Sequence, residues 1–166
     1  MLSKTIQAAL NEQIAQENYG SNYYLAMAAW CDKSALKGSA KFMYSHAEQE
    51  RGHMMKLFRY IIDTGGSALV GAVKAPPAEY KNIQEMFELT LKHEKQMTKA
   101  INSLVDLCLQ EKDYSTFNFL QWYVAEQHEE ENQFNRILDL LKITGVDGKG
   151  VFFADKEIGS YSVSAK

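Results

Sequence analysis

Residues 42–62, FMYSHAEQERGHMMKLFRYII, carry the clearest structural signal in the chain. Six residues within this segment recur at steps of 4, 4, 3, 4 and 3: Phe42, His46, Glu50, His53, Leu57 and Tyr60. This spacing predicts an amphipathic helix with one face packed against a core. Glu50 and His53 would then point into an apolar interior, where an unpaired charge is costly. Either the two side chains hydrogen-bond to each other in the core, or they bind a metal ion together.

The composition of the 166-residue chain favours one helical domain spanning residues 1–166. Hydrophobic residues make up 46% of it, and the two prolines are adjacent, at Pro76-Pro77. The net charge of -3 and the lack of a basic patch argue against a nucleic-acid partner. We find neither a signal peptide nor an apolar run of about 18 residues that could span a membrane. Cys31 and Cys108 form no disulfide framework, so we expect a cytoplasmic protein with no membrane partner.

The hydrophobic pattern predicts four long helices and a short fifth one, over residues 4–32, 39–64, 83–111, 114–142 and 151–158. Gly38 and Ser39 are expected in a turn, and residues 159–166 are expected to fray. The linker from Gly66 to Lys81 has about 16 residues, which is long for a compact domain. Extended, it reaches about 53 Å, whereas a helix of about 28 residues is about 42 Å long. We therefore predict an all-α four-helix bundle with a long crossover between the second and third helices.

An internal repeat relates the two halves of the chain by an offset of 77 residues. The apolar positions follow this offset, and so do the polar residues that interrupt the apolar faces. Each of these polar residues lies near the middle of its helix, where the helices of a bundle meet at one level. We therefore expect six side chains to converge in the centre of the bundle: Glu17, Glu50, His53, Glu94, Gln127 and Glu130.

Four carboxylates at one point cannot all ionise unaided, but two divalent cations would neutralise them. Oxygen ligands with one imidazole and no thiolate suit iron or manganese, with zinc as a competitor. The predicted ligands fall into two sets that share one carboxylate: Glu17, Glu50 and His53 for the first metal, and Glu50, Glu94 and Glu130 for the second. The second set lacks a histidine, so it should bind more weakly and keep open positions.

Segments along the whole chain match one family pattern: Asn11-Glu12-Gln13, Glu17, Tyr24, Ala29-Trp30-Cys31, His46-Ala47-Glu48, Glu50, His53, Lys92-His93-Glu94, Thr116–Val124 and Glu126–Glu130. On these segments, and over essentially its whole length, the chain resembles the bacterial non-haem ferritins. Ferritin-like di-iron bundles take one Glu from each of two helices and an ExxH pair from each of the other two. Here the first half carries ExxH, whereas the second half has Gln127 and Glu130 in its place.

The resemblance implies a ferritin-like fold and a hollow homo-oligomeric shell of twenty-four subunits. Such a shell oxidises Fe(II) with O₂ or H₂O₂ and stores a ferric oxide mineral. It also implies two irons per subunit, with Glu50 bridging them and Gln127 beside the second. Tyr24, two turns from Glu17, would neighbour the site as an electron donor or simply as a core tyrosine.

The family also has a third, outer iron site that uses an acidic residue at position 49. Here that position is Gln49, whose neutral amide is a poor iron ligand, so the third site formed with Glu126, Glu129 and Glu130 should be weakened. Bacterioferritins carry a haem-ligating methionine at position 52. This chain has Gly52 there, and we expect no haem.

Two other functions fit part of the pattern. An oxidase or peroxidase like the rubrerythrins would carry a second ExxH and often a CxxC metal domain, and this chain has neither. A helical interaction protein with a polar core would be stable without metal. His93 and His128 flank site residues but lie off the apolar face, so we expect both on the surface.

Overall fold

Five α-helices form within residues 2–161, the part of the chain that this computed structural model describes. They are α1 Lys4–Lys33, α2 Lys37–Asp63, α3 Ile83–Gln110, α4 Tyr114–Thr144 and α5 Gly148–Ile158. Side-chain caps begin three of them, because Ser3, Asn82 and Asp113 each accept a backbone N–H from the first turn. The predicted all-α fold is confirmed. None of the helices described here has the length and apolar character needed to cross a membrane.

The segment from Thr64 to Asn82 connects α2 to α3 along the side of α1. Near the start of α1, the Asn11 amide donates to the Ser67 carbonyl at 3.0 Å. Near the end of α1, Lys33 Nζ donates to Glu79 Oε1 at 2.8 Å. The segment therefore runs the length of the bundle, and α2 and α3 point the same way. This is the predicted crossover.

The internal repeat is visible in the two short turns, between α1 and α2 and between α3 and α4. Ala35 has φ 61° and Lys112, 77 residues later, has φ 59°. Both residues adopt the left-handed conformation that commonly ends a helix. The same hydrogen bond, 2.9 Å in each turn, closes both: Leu36 N to the Cys31 carbonyl and Asp113 N to the Cys108 carbonyl. The two halves are therefore related hairpins in backbone as well as in sequence.

A polar layer divides the apolar core into two clusters. One cluster contains Met27, Phe42 and Phe87, and the other contains Leu10 and Leu57, among further residues of all four long helices. On each of these helices the predicted site residues fall between the segments that supply the two clusters: Glu17, Glu50, His53, Glu94, Gln127 and Glu130. The candidate site thus has apolar packing above and below it, which holds the four helices in register around it.

Helix α2 begins at Lys37, so the expectation of a turn at Gly38 and Ser39 is wrong. The carboxylate of Asp155, on α5, accepts the backbone N–H of Gly38 at 2.9 Å and that of Ser39 at 2.8 Å. A Cβ on Gly38 would lie 1.8 Å from the Asp155 carbonyl oxygen, so only glycine permits this contact. The cap comes from a residue more than a hundred positions away, and local pattern could not reveal it.

Helix α5 begins at Gly148, three residues earlier than predicted. Gly150 lies in the first turn of α5, against the end of α4. A Cβ there would lie 2.0 Å from the Thr144 carbonyl oxygen. After α5, Tyr161 N donates to the Ile158 carbonyl at 3.0 Å, and the Tyr161 ring packs on the first cluster. The predicted fraying is therefore wrong for residues 159–161, while residues 162–166 lie outside the described part.

Candidate metal centre

The structure brings the six predicted side chains together at the middle of the bundle. Each is at most 4% exposed: Glu17, Glu50, His53, Glu94, Gln127 and Glu130. Within each of two sets, one ligand atom per residue lies within 4.8 Å of the others: Glu17, Glu50 and His53, and Glu50, Glu94 and Glu130. These are the two sets that the sequence predicts, with Glu50 common to both.

Several oxygen and nitrogen atoms of these side chains that could ligate a metal have no hydrogen-bond partner among residues 2–161. They are Glu17 Oε2, Glu50 Oε1, His53 Nδ1 and both carboxylate oxygens of Glu130. His53 Nδ1 lies 3.6 Å from Glu17 Oε2 and 3.6 Å from Glu50 Oε1. Both distances exceed that of a hydrogen bond. A satisfied Glu–His pair is therefore excluded, and buried polar atoms left unpaired in this way call for another partner.

Other side chains hold two of the carboxylates in place. Gln13 Nε2 donates to Glu17 Oε1 at 2.8 Å, and Gln127 Nε2 donates to Glu94 Oε2 at 3.0 Å. The Tyr24 hydroxyl donates to Glu94 Oε1. Such outer hydrogen bonds orient metal ligands. Sequence analysis names Gln13 within the family resemblance but gives it no role at the site, although it lies four residues before Glu17 and so on the same helix face.

Burial favours the protonated form of the acidic groups. It raises the pKa of Glu50 well above its ordinary value, and the neighbouring Glu17 raises it further. Burial also raises the pKa of Glu130 well above its ordinary value, with Glu94 adding to the effect. The pKa of Glu94 is raised to about 7, again mainly by burial. Cations entering the site would displace these protons, so metal affinity should increase with pH.

Gly20 on α1 makes room for the shared carboxylate. A Cβ at this position would lie 2.8 Å from Glu50 Oε2. A glycine inside a helix costs stability relative to alanine, by roughly 0.5–1 kcal/mol. The close approach to Glu50 is a structural reason to keep it, and it could not be seen in the sequence because it joins two helices.

A groove between α2 and α4 reaches the site. Its cavity volume is about 980 Å³, and its lining includes His53, Trp122 and Glu126. The Trp122 ring lies edge-on to His53, with centroids 5.3 Å apart, and Lys56 Nζ lies 3.4 Å from the Trp122 ring centroid. Ions can therefore approach the first ligand set from this side of the bundle.

The residues predicted for a weakened third site line a second cavity of about 300 Å³: Gln49, Glu126, Glu129 and Glu130, with Arg136 beside them. Glu126 is 4% exposed, and Gln49 Nε2 donates to its Oε1 at 2.9 Å. Glu126 also groups with His53 and Glu130 within 4.8 Å. At position 49 the structure thus has a hydrogen-bond donor to a carboxylate in place of a further negative charge.

His93 is half-buried, so its expected place on the surface is wrong. Its ring lies 5.2 Å from Tyr23, 5.8 Å from Tyr19 and 5.9 Å from Tyr24. Burial lowers the pKa of His93 to about 4, which keeps the ring neutral at pH 7. The tyrosines of α1 cover a face of α3 that its own periodicity assigns to solvent. His128, in contrast, is exposed as expected.

Known proteins are similar to this chain over almost its entire length. The model of the family described as Ferritin-like domain matches residues 7–144. A "probable bacterial non-heme ferritin-like protein" of Haemophilus influenzae is 52% identical over 99% of this chain and 100% of its own length. A "bacterial non-heme ferritin" of Campylobacter jejuni is 45% identical over 100% of this chain and 99% of its own.

Among solved structures, an open pore ferritin of Archaeoglobus fulgidus superposes with a TM-score of 0.94 at 40% identity, covering 98% of this chain and 100% of that one. A humanized archaeal ferritin gives 0.95 at 38% identity, with 99% of both chains covered. The fold, the buried carboxylate centre and these full-length similarities lead to one conclusion: the chain belongs to the ferritin family, among the bacterial non-haem ferritins.

Proposed function

We propose that this protein is an iron-storage ferritin that oxidises Fe(II) at the buried centre and holds the ferric product as a mineral inside a hollow shell. The observation that carries this proposal is the set of buried ligand atoms without hydrogen-bond partners on Glu17, Glu50, His53 and Glu130. Leaving such atoms buried without partners costs about 1–3 kcal/mol each, and more if they are charged. Bound Fe(II) would satisfy them and balance their charge.

Two Fe(II) ions per subunit are the substrate of this centre. Glu17 and His53 hold one, Glu94 and Glu130 hold the other, and Glu50 bridges them. Gln127 and Gln13 orient Glu94 and Glu17 without supplying charge. The second ion has oxygen ligands only, which suits weaker binding and release of product. Each Fe(II) gives up one electron, so a pair reduces O₂ to H₂O₂, or H₂O₂ to two molecules of water.

The shell is a homo-oligomer of twenty-four subunits in the cytoplasm. Its support is the similarity to ferritins, together with apolar residues left exposed on the subunit surface. On α5, Phe152 is 74% exposed and Phe153 is 57% exposed, and Val70 in the crossover is 78% exposed. Apolar surface of this kind is typical of contacts between copies of a chain.

The outer iron site is weak in this protein, and haem plays no part. Gln49 gives Glu126 a hydrogen bond in place of a negative charge, which lowers the attraction for a third cation. Gly52 offers no side chain to ligate a haem iron.

The test removes the bridging carboxylate. Glu50→Ala should slow the initial rate of aerobic Fe(II) oxidation by at least an order of magnitude, while size-exclusion chromatography still shows the assembled protein. A matched control is Glu88→Ala, which removes an exposed carboxylate from α3. An unchanged initial rate in Glu50→Ala would contradict the bridging role. A wild-type protein that elutes as a small species without iron after aerobic Fe(II) addition would contradict storage.

A further inference from the structure

Three tyrosines of α1 connect the candidate metal centre with the surface of the bundle. The Tyr24 hydroxyl donates to Glu94, and the Tyr24 ring is fully buried. The Tyr23 ring lies 5.8 Å from Tyr24 and is 6% exposed. Tyr19 stacks on Tyr23 with centroids 5.6 Å apart and an interplanar angle of 17°, and it is half-buried. The tyrosines therefore form a continuous series from a proposed iron ligand to a partly exposed ring.

The outer end of this series adjoins a cavity of about 320 Å³. Tyr19 and His93 form its aromatic walls, and Gln16, Gln96 and Lys74 supply its polar groups. Lys74 Nζ lies 5.0 Å from the Tyr19 ring centroid. A single ammonium beside two amides suits a small anion, and the position of Lys74 would place that anion against Tyr19.

The other neighbours of Tyr24 do not offer an equivalent route. Its ring contacts His46 at 5.8 Å and His93 at 5.9 Å, and it stacks on Phe134 at 6.2 Å. A phenol loses an electron far more easily than a benzyl or imidazole ring, so these three neighbours are poor electron donors to a Tyr24 radical. Of the rings in residues 2–161 that contact Tyr24, only Tyr23 can be oxidised with comparable ease, so the electron that restores Tyr24 should come from Tyr23.

We propose that Tyr24, Tyr23 and Tyr19 relay an oxidising equivalent from the metal centre to this cavity, where a small anionic one-electron reductant removes it. The proposal rests on the proposed function, because it takes Fe(II) and H₂O₂ as the source of the oxidising equivalent. The relay operates when only one of the two irons is bound, because a single Fe(II) cannot complete the two-electron reduction of H₂O₂.

One Fe(II) gives an electron to H₂O₂, the O–O bond breaks, and Fe(III), hydroxide and a hydroxyl radical result. The radical takes a hydrogen atom from the Tyr24 hydroxyl, which yields water and a Tyr24 radical. Tyr23 then gives an electron and its hydroxyl proton to Tyr24, and Tyr19 gives an electron and its hydroxyl proton to Tyr23, which leaves the radical on Tyr19. A reductant such as an enediolate anion then supplies one electron, and a proton from water restores Tyr19.

The experiment uses the assembled protein loaded with less than one Fe(II) per subunit, mixed with H₂O₂. Rapid-freeze electron paramagnetic resonance should detect a tyrosyl radical, and stopped-flow absorbance should show that ascorbate removes it. In Tyr23→Phe and Tyr19→Phe, which keep the ring packing, removal by ascorbate should slow by at least an order of magnitude. Tyr114→Phe changes an exposed tyrosine outside the series and is the matched control. Lys74→Met should slow removal by ascorbate but not by a neutral hydroquinone.

The outcomes separate the relay from the ferroxidase function. The rate of Fe(II) oxidation at two Fe(II) per subunit is measured on the same wild-type preparation. If that activity is absent, the proposed function fails. If the activity is present but no tyrosyl radical forms, or ascorbate removes the radical equally fast from wild type, Tyr23→Phe and Tyr19→Phe, the relay is refuted and the ferroxidase function stands.

Discussion

Replacing Glu94 by glutamine should stabilise the metal-free protein at neutral pH. Burial raises the pKa of Glu94 from 4.5 to about 7. Between these values the folded protein keeps a proton that the unfolded chain has lost, so stability falls as pH rises through this range. At 1.36 kcal/mol per pKa unit, the shift of about 2.5 units costs about 3 kcal/mol above pH 7. Glutamine does not titrate and escapes this cost.

The substitution also loses one hydrogen bond. Gln127 Nε2 donates to Glu94 Oε2, and the NH₂ group of a glutamine at that place cannot accept it. The hydrogen bond from Tyr24 to the other oxygen is retained. A lost hydrogen bond costs about 1 kcal/mol at every pH. The variant should therefore be about 1 kcal/mol less stable than wild type near pH 4.5 and about 2 kcal/mol more stable near pH 7.5.

Urea unfolding followed by far-ultraviolet circular dichroism, with chelator and at fixed subunit concentration, measures this difference. Comparing variants removes the opposing contribution of His46 and His93. Burial lowers their pKa values to about 3 and about 4, so their contribution to stability rises with pH up to about 6.5. Glu88→Gln, an exposed change on α3, is the control. A Glu94→Gln difference that does not vary with pH would refute the reasoning.

Three further predictions concern the cap of α2, the glycine beside Glu50 and the outer site. Asp155→Ala should lower the stability of the protein by about 1–2 kcal/mol in thermal unfolding, because two N–H groups of α2 lose their acceptor; an unchanged melting temperature would show that the cap is dispensable. Gly20→Ala should slow Fe(II) oxidation by displacing the Glu50 carboxylate, and a full rate would contradict the close approach. Gln49→Glu should raise the number of metal ions bound per subunit in equilibrium titration, whereas an unchanged number would exclude position 49 as a ligand.

The sequence predicted the bundle and the convergence of the polar residues because both depend on periodicity along single helices. A repeat of 3.6 residues reports which face of a helix is buried. The offset of 77 residues reports which positions share a level, and the matching turns at Ala35 and Lys112 follow from the same repeat. Glu17, Glu50 and Glu94 could therefore be placed together without a structure.

The features that sequence reasoning missed each join elements that are distant in the chain. The Asp155 carboxylate caps α2 from α5, and Gly20 on α1 accommodates a carboxylate from α2. His93 lies off the apolar face of α3, but tyrosines of α1 cover it. Periodicity describes one helix at a time, so it cannot show which side chains of another helix cover a given face.

Anomalous diffraction from crystals soaked anaerobically in ferrous salt tests the central claim most directly. The account predicts two iron peaks in each subunit. One should lie among Glu17, Glu50 and His53, and the other among Glu50, Glu94 and Glu130, with the second peak lost first as the iron concentration falls. Iron bound elsewhere, with no peak among these carboxylates, would contradict the account.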